Sequence, residues 1–358
     1  MPNTFNLLRS PGRIDLVPEI CLRVAEHAID EDPKAAAVLL VVSKVNDNVP
    51  LHLRHQSFRS LLQSYETSIT KALSKHDDRL IYVNSSESLV LSSRIPPSDA
   101  IVYSLTYEWY LEMRTRSSQV EYLTDHEITH MDDDINGWPT LDVPKGELQQ
   151  HKRAFKKRAF CLLYRLADCT AGVDGTHSIR TAQAQFLEGL NEIELSALGC
   201  LVEVIGQGFF NITKKALLAS PLANLVSSST RIAPASSSSQ PQVTPPTLSN
   251  DLGSDNLTRE RMCVFEDRIQ RYGPNFAWSY LAGSKNRNRR PDLWAQSELQ
   301  QGLDDMNAFE LGYTMSYASL QSVVWRAFCR KTNCALQDSW NEARKLVESE
   351  MRNIGIEK

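Results

Sequence analysis

A stretch rich in serine, proline and threonine interrupts the chain between Ser220 and about Asp255. Its runs SSST and SSSSQPQVTPPT hold a single apolar residue larger than proline. Such a segment buries too little apolar surface to offset the conformational entropy lost on ordering. We therefore predict a disordered Ser/Pro-rich linker over residues 220–257, between an N-terminal part of roughly 220 residues and a C-terminal part of roughly 100.

Apolar residues outside this linker recur at three- and four-residue steps, which is the spacing of one face of an α-helix. Glu147–Leu166, Met262–Tyr272 and Leu320–Met351 are helical candidates on this basis. Two short apolar runs, Leu80–Val83 and Leu89–Leu91, are suited to a small hairpin. The sequence therefore predicts a mainly α fold, a multi-helical bundle with at most a small β hairpin.

Two further predicted helices carry more detailed signals. One is amphipathic, with apolar positions at Phe58, Leu61, Leu62, Tyr65 and Ile69. The other has the clearest start in the chain, because Asn191 can cap it while Glu194 reaches back, and Leu190 can pack across the cap against Leu195. Its core stripe comprises Leu195, Leu198, Leu201, Val202 and Ile205.

Charge and cysteine usage limit the function classes. The net charge is −4 and the pI is near 6.1, unlike a chain that binds nucleic acid or a membrane surface. The longest apolar run, Ala35–Val42, is far below the ~20 residues that span a bilayer, and the N-terminus lacks a signal-peptide core. The 7 cysteines are odd in number and scattered, which suits free thiols in a reducing compartment. We expect an intracellular protein, cytoplasmic or nuclear, with no membrane or nucleic-acid partner and no cofactor.

Residues 16–44 carry an ordered pattern. Leu16-Val17-Pro18-Glu19-Ile20 opens a predicted helix, the acidic turn Asp30–Pro33 follows, and the apolar run Ala36–Val42 ends in Ser43-Lys44. This order resembles an F-box, a small helical unit that docks a few apolar side chains on a partner helix. The resemblance implies binding to the Skp-type adaptor of a cullin–RING ubiquitin ligase and recruitment of a client protein. The implied contact residues are Leu16, Pro18, Ile20, Leu39 and Val42. The residues alone are equally compatible with a plain helical hairpin.

The remainder of the chain is similar in layout to a group of filamentous-fungal F-box-like proteins, which implies no catalytic residues. The segments that carry this similarity are Glu147–Cys169, Phe186–Val204, Arg271–Pro274 and Leu311–Tyr313. We accordingly expect F-box-like N-terminal helices at residues 1–75 and a helical body at 76–219. The linker at 220–257 and a C-terminal helical region at 258–358 complete the predicted organisation.

A competing hypothesis is a zinc-dependent hydrolase, because His126-Glu127-Ile128-Thr129-His130 matches H-E-x-x-H. On a helix, His126 and His130 would share a face and hold zinc, with Glu127 as the base and Glu147 or His151 as a third ligand. The acidic run Asp132–Asp134 instead favours an exposed helix end or loop. A helical scaffold with neither activity is the third hypothesis.

Two basic clusters and one cysteine pair complete the candidates. The first cluster comprises Lys152, Arg153, Lys156, Lys157 and Arg158, and the second comprises Lys285, Arg287, Arg289 and Arg290. Both are interpreted as solvated surface, with phosphate binding or nuclear import as the alternatives. Cys329 and Cys334 lie five residues apart with no second pair at zinc-ribbon spacing, so we predict that they are structural.

Overall fold

The structure is a computed structural model that describes eleven parts of the chain. They are His27, Leu80, Val173 and residues 64–77, 89–91, 100–130, 145–170, 175–219, 249–282, 291–310 and 320–354. Within these parts 86% of residues are helical, and ten α-helices accompany one two-stranded sheet. The predicted mainly α fold with at most a small β hairpin is therefore confirmed. Residues 16–44, except for His27, and most of the predicted linker lie outside the described parts.

The chain divides into two compact units. The first comprises Met1–Ser93 with Ser98–Ser118, and the second comprises Arg94–Pro97 with Gln119–Lys358. The described elements of the first unit are α1 (Glu66–His76), β1 (Leu89–Val90), β2 (Ile101–Val102) and the N-terminal part of α2 (Tyr107–Asp125). The segments on both sides of residues 220–248 belong to the second unit, so the predicted linker connects two parts of one compact unit.

The core of the first unit forms where α1 and the sheet pack on α2. Ile69 and Leu73 of α1 and Tyr110 of α2 are buried in it. Two polar groups are buried nearby with partners: Arg116 donates to Glu112 at 2.9 Å and to the Val90 carbonyl at 2.7 Å. These contacts tie α2 to the sheet.

The strand at Leu89 pairs with residues that the sequence did not single out. Leu89 pairs with Val102 and Val90 with Ile101 in antiparallel register, whereas Leu80 lies in no strand and packs against the core as a partly buried residue. The Leu91 amide also donates to the Ala100 carbonyl at 3.1 Å, which extends the pairing by one step. Leu89–Leu91 was correctly predicted as a strand, whereas residues 81–83 of the other predicted strand lie outside the described residues, so their pairing stays a prediction.

The second unit is built around one long helix. In chain order it contains α3 (Lys145–Asp168), α4 (Thr176–Gly189), α5 (Glu192–Ala219), α6 (Ser249–Tyr272), α7 (Pro274–Leu281), α8 (Pro291–Glu310), α9 (Leu320–Thr332) and α10 (Ser339–Ile354). Helices α3, α6, α9 and α10 all pack on α5. By length and composition alone, Glu192–Leu217 of α5 is apolar enough to cross a membrane, yet 67% of its most apolar window is buried inside the protein. That burial is the pattern of a core helix.

The start of α5 confirms the predicted capping box. The Asn191 side chain accepts from the Glu194 amide at 2.9 Å, and the Glu194 carboxylate accepts from the Asn191 amide at 3.0 Å. Leu190 and Leu195 are both buried, as a hydrophobic staple requires. All five residues of the predicted stripe are buried, namely Leu195, Leu198, Leu201, Val202 and Ile205.

The observed helices differ from the predicted ones in three respects. The candidate Leu320–Met351 is interrupted after Thr332, where Asn333 takes the left-handed conformation with φ of 56°. Helix α6 begins at Ser249, inside the segment predicted as linker. The helix therefore starts well before the apolar pattern at Met262 from which it was predicted. Helices α7 and α8 were not predicted, although each begins with a proline at its first position, a known start signal.

Candidate functional site around the HEITH turn

The residues His126–His130, here called the HEITH turn, follow directly on α2. Helix α2 ends at Asp125, and Glu127–Thr129 form one turn of 3₁₀ helix. His126 has extended backbone angles, with φ of −79° and ψ of 148°, and its Nδ1 accepts from the Ile128 amide at 3.2 Å. The histidine therefore acts as the cap of a short turn.

Two side chains of the HEITH turn are fully buried. Ile128 and Thr129 are each 0% exposed, and the turn packs against the side of α5. The contact is so close that a Cβ atom at Gly208 would overlap the backbone carbonyl of Ile128. The expectation of an exposed helix end or loop is therefore wrong for these two residues, because Gly208 of α5 provides space for them.

The Thr129 hydroxyl anchors the turn to the end of α2. Its oxygen lies 2.8 Å from the Leu123 carbonyl and 3.2 Å from the Thr124 carbonyl, both of which can accept its proton. Lys156 of α3 approaches the same group, with Nζ at 3.4 Å from the Thr129 oxygen and 3.3 Å from the Thr124 carbonyl. The hydroxyl can thus donate to a carbonyl while it accepts from the lysine.

This geometry does not provide the helix that the zinc hypothesis requires. His126 and His130 flank a 3₁₀ turn, and both have extended backbone, so they do not share one face of an α-helix. Of the two proposed third ligands, Glu147 has a side chain outside the described ones, and His151 lies on α3. Among the residues that the structure does describe, no three His, Cys, Asp or Glu side chains form a group that could hold a metal ion.

The electrostatic environment of the turn is unusual for two groups. Burial lowers the pKa of His126, with the Glu127 carboxylate opposing the shift and His130 adding to it. Burial also lowers the pKa of Lys156 to about 8, and the positive charge of Lys152 acts in the same direction. Both shifts have the cause expected for cationic groups withdrawn from water.

The first basic cluster is only partly a solvated face. Lys152 and Lys156 are 4% and 9% exposed, so the expectation of a solvated surface is wrong for both. Arg153 pairs with Glu121 and Asp125 of α2, and Lys157 also pairs with Glu121. Arg158 pairs with Glu350 of α10. Acidic residues from two other helices therefore neutralise much of the charge that the sequence presents as a continuous basic run.

Sequence reasoning did not predict a second buried polar cluster, which joins α4, α6 and α8. Arg180 of α4 pairs with Asp267 of α6, and Arg268 pairs with Asp267 at 3.1 Å and with Glu298 of α8 at 3.1 Å. The hydroxyl of Tyr272 lies 3.3 Å from the same Glu298 carboxylate. Nothing in the local sequence marks these residues, because their partners lie on other helices.

The remaining sequence candidates have mixed outcomes. The expected partner contacts Leu16, Pro18, Ile20, Leu39 and Val42, and the second basic cluster, lie outside the described residues. Trp294 packs edge-on against Tyr272 and Phe276, with centroid distances of 5.3 and 5.6 Å. That tryptophan is part of the aromatic core.

No family model matches the sequence, and searches among curated proteins and among solved structures find no significant match. The fold and the site geometry therefore define the class of the protein on their own. Over its described residues it is a mainly α-helical protein. Its HEITH turn, which matches a zinc-binding pattern in the sequence, packs against α5.

Proposed function

We propose that the protein is a non-enzymatic, F-box-like adaptor. In this proposal residues 16–44 bind the Skp-type adaptor of a cullin–RING ubiquitin ligase, and the helical body presents a client protein to the ligase. The contact is made by the apolar side chains of Leu16, Pro18, Ile20, Leu39 and Val42. A short helical unit of this kind buries its apolar residues against a partner helix.

One observation carries the proposal: the order of sequence features within residues 16–44. A Leu-x-Pro-Glu-Ile start, an acidic turn and an apolar run ending in Val42-Ser43-Lys44 succeed one another at F-box spacing. The proline at the third position of the start favours the first turn of a helix, where its missing amide costs nothing.

The body supplies a second, weaker line of support. The HEITH turn packs against α5, and the first basic cluster pairs α3 with the C-terminal end of α2 and with α10. These two motifs suggested chemistry or nucleic-acid binding in the sequence, and each has a structural role in the fold. A helical body of this kind suits a protein that positions partners.

Co-purification with the Skp-type adaptor tests the proposal. The full chain and the adaptor are produced together, and the complex is isolated by size-exclusion chromatography. The test variant is Pro18→Glu/Ile20→Glu, which places two charges on the proposed contact. Leu293→Glu is the matched control, because Leu293 of α8 is 51% exposed and lies outside residues 16–44.

We expect the wild type and Leu293→Glu to elute with the adaptor and the double variant to elute without it. Circular dichroism of the double variant should retain the helical signal of the wild type. Failure of the wild type to bind overturns the proposal, as does full binding by the folded double variant. The first result would leave a helical scaffold with no ligase contact, and the second would place the adaptor contact away from Pro18 and Ile20.

A further inference from the structure

The connection between α9 and α10 brings two free thiols together. Cys329 lies in the last turns of α9, and Cys334 follows the end of that helix; neither is in a disulfide. Asn333 between them has a φ of 56°, in the left-handed region that asparagine tolerates better than most residues. The reversal at Asn333 turns Cys334 back toward the helix that it has just left.

The two sulfur atoms lie 3.7 Å apart, with Cys334 donating to Cys329. Thr332 holds the second sulfur in place, because its hydroxyl is 3.2 Å from the Cys334 sulfur and 2.9 Å from the Phe328 carbonyl. A disulfide requires sulfur atoms about 2.05 Å apart. An approach of less than 2 Å by two side chains that are already in contact is within reach of small rotamer changes.

We propose that Cys329 and Cys334 form a reversible disulfide that closes the connection between α9 and α10. The oxidant is a small-molecule disulfide of the glutathione class. The two thiols are already in contact, and both are partly exposed and so accessible to the oxidant.

The reaction proceeds by two thiol–disulfide exchanges. The Cys334 thiolate attacks one sulfur of the oxidant, forms a mixed disulfide and releases one small-molecule thiol. Cys329 then loses its proton and attacks the Cys334 sulfur, which releases the second small-molecule thiol. Two S–H bonds are lost and one S–S bond forms in the protein, while two electrons and two protons reduce the oxidant to two thiols.

The order of attack follows from the surroundings of Cys329. Burial raises the pKa of the Cys329 thiol to about 11, and the close approach of the Cys334 sulfur acts in the same direction. Cys329 is therefore protonated at neutral pH and is a poor first nucleophile. Once Cys334 is in a mixed disulfide, the proximity of the two sulfurs favours resolution by Cys329.

Closure constrains the segment that leads into α10. The six residues from Cys329 to Cys334 form a ring that fixes the left-handed turn, and residues 336–338 then lead through a short 3₁₀ turn to Ser339. Helix α10 packs on α5 and α3. Oxidation should therefore slow local opening of the N-terminal end of α10, while reduction restores it.

The test uses the full-length reduced protein incubated with millimolar oxidised glutathione under native conditions. Intact mass spectrometry should show the loss of two hydrogen atoms, and peptide mapping should locate the cross-link between Cys329 and Cys334. Hydrogen exchange at the start of α10 should slow on oxidation. The same treatment of Cys263→Ser, which removes a thiol elsewhere in the fold, should give the same cross-link.

Variants Cys329→Ser and Cys334→Ser should lack both the cross-link and the change in exchange. Three results would overturn the proposal: no reaction in the wild type, separate glutathione adducts on the two cysteines, or a cross-link to a different cysteine. All three are read from wild-type protein, so the outcome does not depend on whether a serine variant folds.

Discussion

Gly208 of α5 lies directly against the backbone carbonyl of Ile128 in the HEITH turn. Only glycine permits this approach, because a methyl group in place of its hydrogen would overlap the carbonyl oxygen. Ile128 is fully buried as a result, and the end of α2 is held on the central helix. Two residues of the motif with the sharpest chemical pattern in the sequence, Ile128 and Thr129, are thereby part of the core.

Replacement of Gly208 by alanine should destabilise the protein by about 1–3 kcal/mol, the usual cost of overfilling a packed core. The neighbour is backbone, so relief requires movement of the whole turn. The free energy of unfolding from urea denaturation measures the effect. Gly189→Ala is the matched control, because a Cβ atom at Gly189 would meet nothing within 4 Å. The control should be neutral or slightly stabilising, and equal losses in both variants would contradict the packing argument.

A second close approach joins Gly199 of α5 to Trp325 of α9. A Cβ atom at Gly199 would lie 2.8 Å from two ring carbons of Trp325, and that ring also packs against Phe328 and Trp340. Gly199→Ala should therefore cost about 1–3 kcal/mol. In combination with Trp325→Phe, the loss should be smaller than the sum of the two single losses.

The combination of Gly208→Ala with Trp325→Phe provides the reference for additivity. Positions 199 and 208 are nine residues apart on α5, which is about 13 Å along the helix axis at 1.5 Å per residue. Because Trp325 packs at position 199, the effects of Gly208→Ala and Trp325→Phe should add to within about 0.5 kcal/mol. Additive losses in both pairs would show that the alanine at position 199 does not act through the tryptophan ring.

The cap of α5 offers a test of a purely local signal. Asn191→Ala should lower the free energy of unfolding by about 1 kcal/mol, because the Glu194 amide loses its side-chain acceptor. Asn191→Ser should retain most of the wild-type stability, since serine caps helices equally well. A serine variant as unstable as the alanine variant would show that the loss does not come from the cap.

Lys156 makes stability depend on pH in a defined direction. Its pKa is 10.5 in the unfolded chain and about 8 in the fold. As pH falls from 10.5 to 8, the unfolded chain takes up the proton before the folded protein does, so stability is lost over this window. Below pH 8 the cost of the buried charge is present in full.

Lys156→Met should therefore be more stable than the wild type at pH 7, by about 1–2 kcal/mol. The advantage should shrink as the pH rises from 8 toward 10.5. Urea denaturation of both proteins across this range measures the difference. Lys157→Met serves as the control, because Lys157 is more exposed and pairs with Glu121, so its loss should matter by less than about 1 kcal/mol. A loss of stability in Lys156→Met at pH 7 would contradict this account.

The sequence predicts those parts of the fold that depend on interactions between residues close together in the chain. The capping box at Asn191 and Glu194 lies within four residues, and the buried stripe of α5 follows from its helical spacing. The break at Asn333 was missed because apolar periodicity continues on both sides of it. The residue itself carried a signal, since asparagine favours the left-handed conformation that ends a helix.

The packing around the HEITH turn was not predictable, because the residues that bury it lie far away in the sequence. Ile128 is buried because of Gly208, and Lys156 is buried because α3 packs over the end of α2. The acidic run at residues 132–134 favoured exposure, but it says nothing about the helix that covers the turn. Charge neutralisation of the basic cluster likewise depends on Glu121, Asp125 and Glu350, which no local pattern connects to it.

Hydrogen exchange of the full-length protein, with and without the Skp-type adaptor, tests the proposed adaptor role most directly. We expect amide exchange in residues 16–44 to slow when the adaptor is added. Exchange in the HEITH turn should be unchanged, because that segment is already packed on α5. Residues 16–44 that are fully protected without the adaptor, or unaffected by a saturating amount of it, would contradict the proposed docking face.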